Sequence, residues 1–360
     1  MLSTQILRRS RSLWTGVLFP LVIATFSMSA SAQRVAITHL TSDIPAVGSF
    51  NDTNLVNPWG MSLSPSGPWW ISDNGTGLST LYVASGQQQG LVVTIPSASG
   101  SGTGTPSGTV YNGTTDFQID RQMTPFLFCT EDGTISGWYG GSNAFIAVNN
   151  SSNNAIYKGM ALAAAGGSNY LYLANFHAGT IEVYDGHYNP HSFGPNAFVD
   201  STIPAGFAPF NVQLVAGKLV VTYAKQDADK HDDVPGPGNG YVDVYDTEGN
   251  LQLRMAHNLF LNSPWGVVQA PASFMGLAND LLVGNFGSGV IMAYNFSTGT
   301  WIGNLQTSNY LPVQIDGLWG LTFGNGGSAG PTGTLFFTAG SFGESHGIFG
   351  SITALNSRTP

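Results

Sequence analysis

The densest concentration of titratable side chains lies at residues 225–239, KQDADKHDDVPGPGN. Asp227, Asp229, Asp232, Asp233 and His231 fall within seven positions, with Lys225 and Lys230 beside them. Carboxylates at alternating positions can turn several oxygens toward a hard cation. Ca2+ or another divalent metal is therefore the one cofactor this segment would suit. The spacing is not that of a helix–loop–helix calcium site, which needs glycine at its sixth place and glutamate at its twelfth. A solvated acidic loop has the same composition, and the two lysines offset part of its charge.

A second group of chemistry-bearing residues recurs along the chain. Asn57-Pro58-Trp59-Gly60, Ala208-Pro209-Phe210-Asn211, Ser263-Pro264-Trp265-Gly266 and Gly317-Leu318-Trp319-Gly320 echo one another, and Lys158-Gly159-Met160 is a weaker copy. Near residue 106 the echo is lost. The chain has no nucleophile elbow, His-Glu-x-x-His, phosphate loop or dinucleotide fingerprint. His187 and His191 are separated by Asn189-Pro190, which precludes a helix between them. Cys129 is the single cysteine, so no internal disulfide forms, and it reads as a small buried strand residue.

The elements that carry these residues follow from a repeat. Apolar runs rich in β-branched and aromatic residues end at Asp73, Glu131, Asn175, Tyr223, Asn285 and Ala339, spaced by about fifty residues. Alternating runs follow each at 80–84, 134–138, 180–184, 240–245, 290–294 and 347–353. Four short strands per repeat, six repeats, abundant glycine (47 residues) and 9% charged residues predict an all-β, six-bladed β-propeller of NHL-like type. The last repeat runs out of chain before its outer strand. Residues 34–41 alternate weakly and are expected to supply that strand, closing the ring from the N-terminus. Glycine- and serine-rich stretches 97–107 and 324–333 read as surface loops.

In such a ring the starts of the inner strands and the turns after the second strands converge on one mouth of the channel. That places Asn57, Trp59, Asp73, Asn175, Asn211, Lys225, His231, Asp232, Trp265, Asn285, Asp316 and Trp319 around a common ligand site. Asn74, Asp132, Lys158, His177, Asn262, Glu344 and His346 share the same loops. Lys225, nearest the strand end, is expected to be the cation anchored in the mouth. Glu131, Asp227, Asp229 and Asp233 are the candidate metal ligands. Asp, Asn and Gly also recur in these places simply because turns favour them.

Residues 1–32 read as a secretory signal: Arg8, Arg9 and Arg11, an apolar run too short to span comfortably, then Ala30-Ser31-Ala32 before Gln33. The remaining 33–360 form one domain with no transmembrane segment. Three basic residues and no acid lie in the leader, so the net charge moves from −9 to −12 on its removal. An acidic exported protein is a poor partner for nucleic acid or an anionic membrane surface. The expectation is a monomer that meets a small molecule, glycan or envelope protein in the periplasm or outside the cell.

The motifs NPWG, SDNGTG, TEDGTISGW, APFNV, YAKQDADKHDDV, NSPWG and DGLWGL resemble a bacterial family of exported proteins without an assigned reaction. Some of its members end in exosortase-type sorting signals, which have no counterpart at Ser357-Arg358-Thr359-Pro360. The likeness covers nearly all of the mature chain and implies an NHL-like six-bladed propeller, but no activity. Two functions then compete. One is a non-catalytic binder. The other is a metal-dependent hydrolase similar to lactonase and gluconolactonase propellers, with Glu131, Asn175, Asn211, Asn285 and Asp316 around an axial metal that activates water or polarises a carbonyl.

Overall fold

The apolar runs become the second strands of six sheets: Trp69–Asp73, Phe126–Thr130, Ser168–Asn175, Lys218–Lys225, Leu281–Asn285 and Leu335–Ala339. The computed structural model describes residues 34–355, so the signal reading of 1–32 lies outside the described residues. Each sheet is an antiparallel blade, and the six surround a channel. Inner strands are Pro58–Leu63, Pro106–Tyr111, Tyr157–Ala165, Phe207–Val215, Pro264–Gln269 and Leu318–Phe323, for blades 1 to 6 in chain order. Third strands are Leu78–Tyr82, Thr134–Trp138, Thr180–Asp185, Gly240–Tyr245, Ile291–Tyr294 and Ile348–Ala354. The core lies between blades, where facing strands bury Val, Leu and aromatic side chains.

The turn after the second strand shows why the glycines repeat. The N–H of Gly77 donates to the Asp73 carbonyl at 2.9 Å, and Gly179 to Asn175 and Gly289 to Asn285 do the same. Each of these glycines holds a φ near +70°, where a Cβ would be strained.

The inner strands share a second device. In every blade the register slips once, between Pro58 and Met61, Pro106 and Thr109, Tyr157 and Gly159, Pro209 and Asn211, Pro264 and Val267, and Leu318 and Leu321. A bulge leaves its extra residue out of the ladder and re-aims the side chain. The residues so placed are Trp59, Ser107, Lys158, Phe210, Trp265 and Trp319, so blade 2 keeps the motif's Pro106 and Gly108 but carries serine where the others carry a large side chain. The next residue is glycine in five blades because the neighbouring inner strand passes there. A Cβ on Gly60 would lie 2.5 Å from the Ser107 carbonyl oxygen, and one on Gly108 2.8 Å from the Met160 amide. In blade 4 the place is taken by Asn211, whose Nδ2 donates to the Trp265 carbonyl of blade 5 at 2.8 Å.

Ring closure follows the sequence expectation. Val35–Ser42 pairs antiparallel with Ile348–Ala354 as the outer strand of blade 6, and Val35 and Leu40 are buried there. Phe50–Asn51 adds a short parallel strand outside it. The loop at 324–333 is not merely on the surface. Ala329 is fully buried, its carbonyl accepts from Trp69 Nε1 at 3.0 Å, and Asn325 Nδ2 donates to the Ser64 and Gly67 carbonyls of blade 1.

Deleting residues 34–41 removes two buried apolar side chains and a whole ladder. At about 1.5–3 kcal/mol per side chain, the thermal midpoint should drop by roughly 5 °C or more in one cooperative transition. Circular dichroism melting checks this, and an unchanged midpoint would show that the strand does not close the ring.

Candidate functional site

The bulged residues meet across the channel and close it. Trp59 and Trp319 stack with centroids 3.7 Å apart, and Phe286 stacks on the latter at 4.0 Å. Trp265 stands edge-on to both at 6.2 and 5.8 Å. With Phe176 and Phe210 they form one buried aromatic plate. Hydrogen bonds between blades fix it: Trp265 Nε1 donates to the Lys158 carbonyl at 2.9 Å, and Trp319 Nε1 to Asn57 Oδ1 at 3.1 Å. Trp59 Nε1 is buried without an acceptor.

Among the described residues, Lys158 in blade 3 is the one cation packed against the plate. Its side chain is 1% exposed, and the ammonium lies over the Trp59 ring at 5.1 Å. It is ion-paired with Glu131 and, at 3.1 Å, with Asp232. Burial alone would lower its pKa, but the two carboxylates outweigh that and raise it. From this pair a polar chain runs round the mouth. Asn74 Nδ2 donates to Glu131 Oε2 at 2.6 Å, Asn57 Nδ2 donates to Asn74 Oδ1 at 3.3 Å and to Glu344 Oε1 at 3.2 Å, and His231 Nδ1 meets Asp232 Oδ1 at 2.9 Å.

Two loops deliver the outer members. The segment after Lys218–Lys225 doubles back through Val234 N to the Lys225 carbonyl (2.8 Å) and His231 N to Asp227 Oδ1 (2.9 Å), which brings Asp232 to Lys158. The blade 6 turn is clamped by Asp316 Oδ2 accepting from Phe342 N and by Asp43 accepting from Gly347 N, both at 2.8 Å. That clamp holds Glu344 against Asn57. Burial, added to by the Glu131 charge, pushes the Glu344 pKa up to about 7, against the pull of the Asn57 hydrogen bond. Burial works on Asp232 in the same direction, but Lys158 and His231 prevail and hold its pKa down.

The sequence candidates separate into two sets on this geometry. Asn57, Glu131, His231 and Asp232 join the chain above the plate. Trp59, Trp265 and Trp319 are 1–4% exposed and form the plate itself. Asn175, Asn211 and Asn285 are committed to the scaffold. Asn175 Oδ1 accepts from Ile156 N and Asn285 Oδ1 from Asn262 N, each tying a second strand to its own inner strand. Asp73 is fully buried, accepts from Thr80 Oγ1 at 2.7 Å, and has its pKa raised well above normal by burial. Lys225 is exposed at its strand end, so the anchored cation is Lys158 instead. Asp227 caps its own loop and Asp229 is exposed, while Asp233 is turned inward with its pKa raised by burial. Among the described residues, the three groups whose donor atoms lie within 4.8 Å of one another are Glu131, His231 and Asp232. The sequence signal for Lys158 was present, since it stands where four of the other five blades carry an aromatic residue. Glu344 was placed in the mouth by its turn after the sixth second strand, but its partner was not, since Asn57 lies 287 positions away in the chain.

No family model matches the chain. It is 29% identical to the uncharacterized protein R648 of Acanthamoeba polyphaga mimivirus, across 92% of this chain and 83% of the viral protein. A second mimivirus protein, the uncharacterized L690, is 29% identical across 79% and 78%. Among solved structures, a streptogramin B lyase superposes with a TM-score of 0.53 at 10% identity, covering 91% of this chain and all of that one. A glucose dehydrogenase gives 0.55 at 12% identity over 89% of this chain and all of that one. At such identities the likeness shows the six-bladed propeller fold and nothing of the chemistry.

Replacing Lys158 by methionine strands the Glu131 carboxylate, itself only 10% exposed. Urea unfolding should show a loss of about 3–5 kcal/mol, whereas Asp232→Ala, at the exposed end of the network, should lose less than about 1 kcal/mol. Equal losses would mean that the ammonium is not the organising charge. The raised pKa of Glu344 predicts a pH signature. Below the ordinary value of 4.5 both states are protonated. As pH rises to about 7 the unfolded chain releases the proton first, so this group's contribution turns against folding and stays so above pH 7. Glu344→Gln should therefore melt a few degrees above the parent at pH 8 and level with it near pH 4.5. A constant difference at both pH values would refute the assignment.

Proposed function

We propose that the protein is an exported binding propeller that holds a neutral, hydroxyl-rich ligand such as a glycan at the mouth above the aromatic plate. One observation carries this reading. The second carboxylate oxygens of Asp232 and Glu344 and Nε2 of His231 make no hydrogen bond among the described residues, while the side chains of Lys158, Asn57 and Asn74 beneath them are already paired. A fixed set of acceptors matches ligand hydroxyls. A single cation among Glu131, Asp232, Glu344 and Asp316 disfavours an anion. Export rests on the sequence of residues 8–32 and on the resemblance to exported bacterial proteins.

The metal-dependent hydrolase has one observation in its favour, the approach of Glu131, His231 and Asp232. The fit to a dication is poor. Lys158 is already bonded to both carboxylates, and a metal would share them with an ammonium. Of the residues expected around an axial metal, Asn175, Asn211 and Asn285 serve the scaffold and Asp316 clamps a backbone amide. Among the described residues no helix is long and apolar enough to cross a membrane.

Calorimetric titration with a panel of neutral and uronate oligosaccharides separates the readings. Neutral sugars should bind, and an Asp232→Ala, Glu344→Ala double variant that still melts cooperatively should bind at least about tenfold more weakly, the loss of one or two hydrogen bonds. Failure of all neutral sugars, together with one equivalent of Ca2+ or Zn2+ retained through dialysis and lost in Asp232→Asn, would replace the binder by the hydrolase.

A further inference from the structure

The turn that carries Glu344 also holds an aromatic side chain out in water. Eight residues join Ala339 to Ile348 in blade 6, where blades 1, 2, 3 and 5 use three to five. The extra length is pinned throughout. Phe342 N donates to Asp316 Oδ2 and Gly347 N to Asp43 Oδ1, both at 2.8 Å. Ser345 Oγ donates to the Phe342 carbonyl at 2.7 Å, and His346 N to the Ser341 carbonyl at 3.2 Å. The His346 carbonyl in turn accepts from Asn57 N at 3.3 Å, so blade 1 grips this turn by backbone as well as through Glu344.

Inside that frame three successive residues are left-handed: Phe342 at φ +55°, Gly343 at +63° and Glu344 at +67°. Glycine takes this conformation freely, whereas a bulky side chain in it is strained. The Phe342 ring gains little burial in return. It is 68% exposed, with the His346 imidazole edge-on at 5.8 Å. Backbone strain and an apolar ring in solvent both cost stability, and strain of this kind collects where a ligand is clamped. The ring stands two residues from Glu344, whose unpaired oxygen is one of the acceptors of the mouth.

We propose that Phe342 is a specificity-determining residue of the mouth, stacking on the face of a pyranose ring whose hydroxyls are all equatorial while Asp232 and Glu344 accept hydrogen bonds from its edge. This rests on the binding reading above and adds which neutral ligand the mouth takes. In such a sugar the hydroxyls lie round the perimeter and axial C–H groups cover both faces. The face of a phenyl ring is negative and attracts those slightly positive hydrogens. Acceptors beside an aromatic face therefore favour this ring over an acyclic polyol that offers the same hydroxyls without a face. Because the turn is already fixed, little ordering is left to oppose binding.

The probe is cellotetraose, a β-1,4 chain of all-equatorial glucose, titrated calorimetrically into the full-length protein with sorbitol as the acyclic comparison. The parent should bind cellotetraose saturably and sorbitol far more weakly. Phe342→Ala should weaken cellotetraose about tenfold while its thermal midpoint stays that of the parent. Phe342→Tyr, which keeps the ring, should bind like the parent, and Phe342→Leu, apolar but without a ring, should be as weak as the alanine variant. Undiminished binding in Phe342→Ala or Phe342→Leu, or equal affinity for sorbitol, would overturn the inference. A lowered midpoint in Phe342→Ala would also overturn it, by assigning the ring to the fold. The mouth reading survives those results if the Asp232→Ala, Glu344→Ala variant still loses cellotetraose. If cellotetraose fails to bind but another neutral sugar binds, this inference falls alone; if no neutral sugar binds, both fall.

Discussion

Six inner strands approach one axis so closely that, at one register, five of the six blades have room for hydrogen alone. That constraint sets the rest of the molecule. Glycine is required where each strand passes the backbone of the next, and the bulge just before it turns the preceding side chain toward the axis. Because those side chains are mostly tryptophan and phenylalanine, the channel is filled rather than open. The close packing of six sheets is thereby converted into a solid floor, with the mouth above it. Asn211 is the exception that shows the rule: lacking glycine there, blade 4 spends its amide on a hydrogen bond to blade 5.

The floor also decides the electrostatics above it. An ammonium buried against indole needs anionic partners, and Lys158 recruits one carboxylate from blade 2 and one from the blade 4 loop. The long acidic segment that looked like a metal loop is thus held by a side-chain cation. Its carboxylates are divided between loop caps, solvent and the mouth. The same buried charge keeps Asp232 ionised, whereas Glu344, reached by no cation as directly, has a pKa near neutrality. Two carboxylates of one mouth therefore differ in protonation behaviour for a reason visible in their partners.

Much of this was legible in the chain itself. The period of the apolar runs, the glycine of each turn and the recurrence of Pro-Trp-Gly are local signals with local causes, and the blade count and strand ends follow from them directly. The missing outer strand of blade 6 was a matter of counting strands, and residues 34–41 were the ones left over. Turn preference also explained Asn175, Asn285 and Asp73, whose side chains bond within their own blades. What no local pattern carries is which polar residues face one another. Lys225 and Lys158 both lie in mouth loops by sequence, yet one is exposed and the other nearly sealed, because only the bulge position points at the axis. Glu344 meets Asn57 only when the ring is closed. Local chemistry determined the fold; the distances between residues far apart in sequence decided the sites.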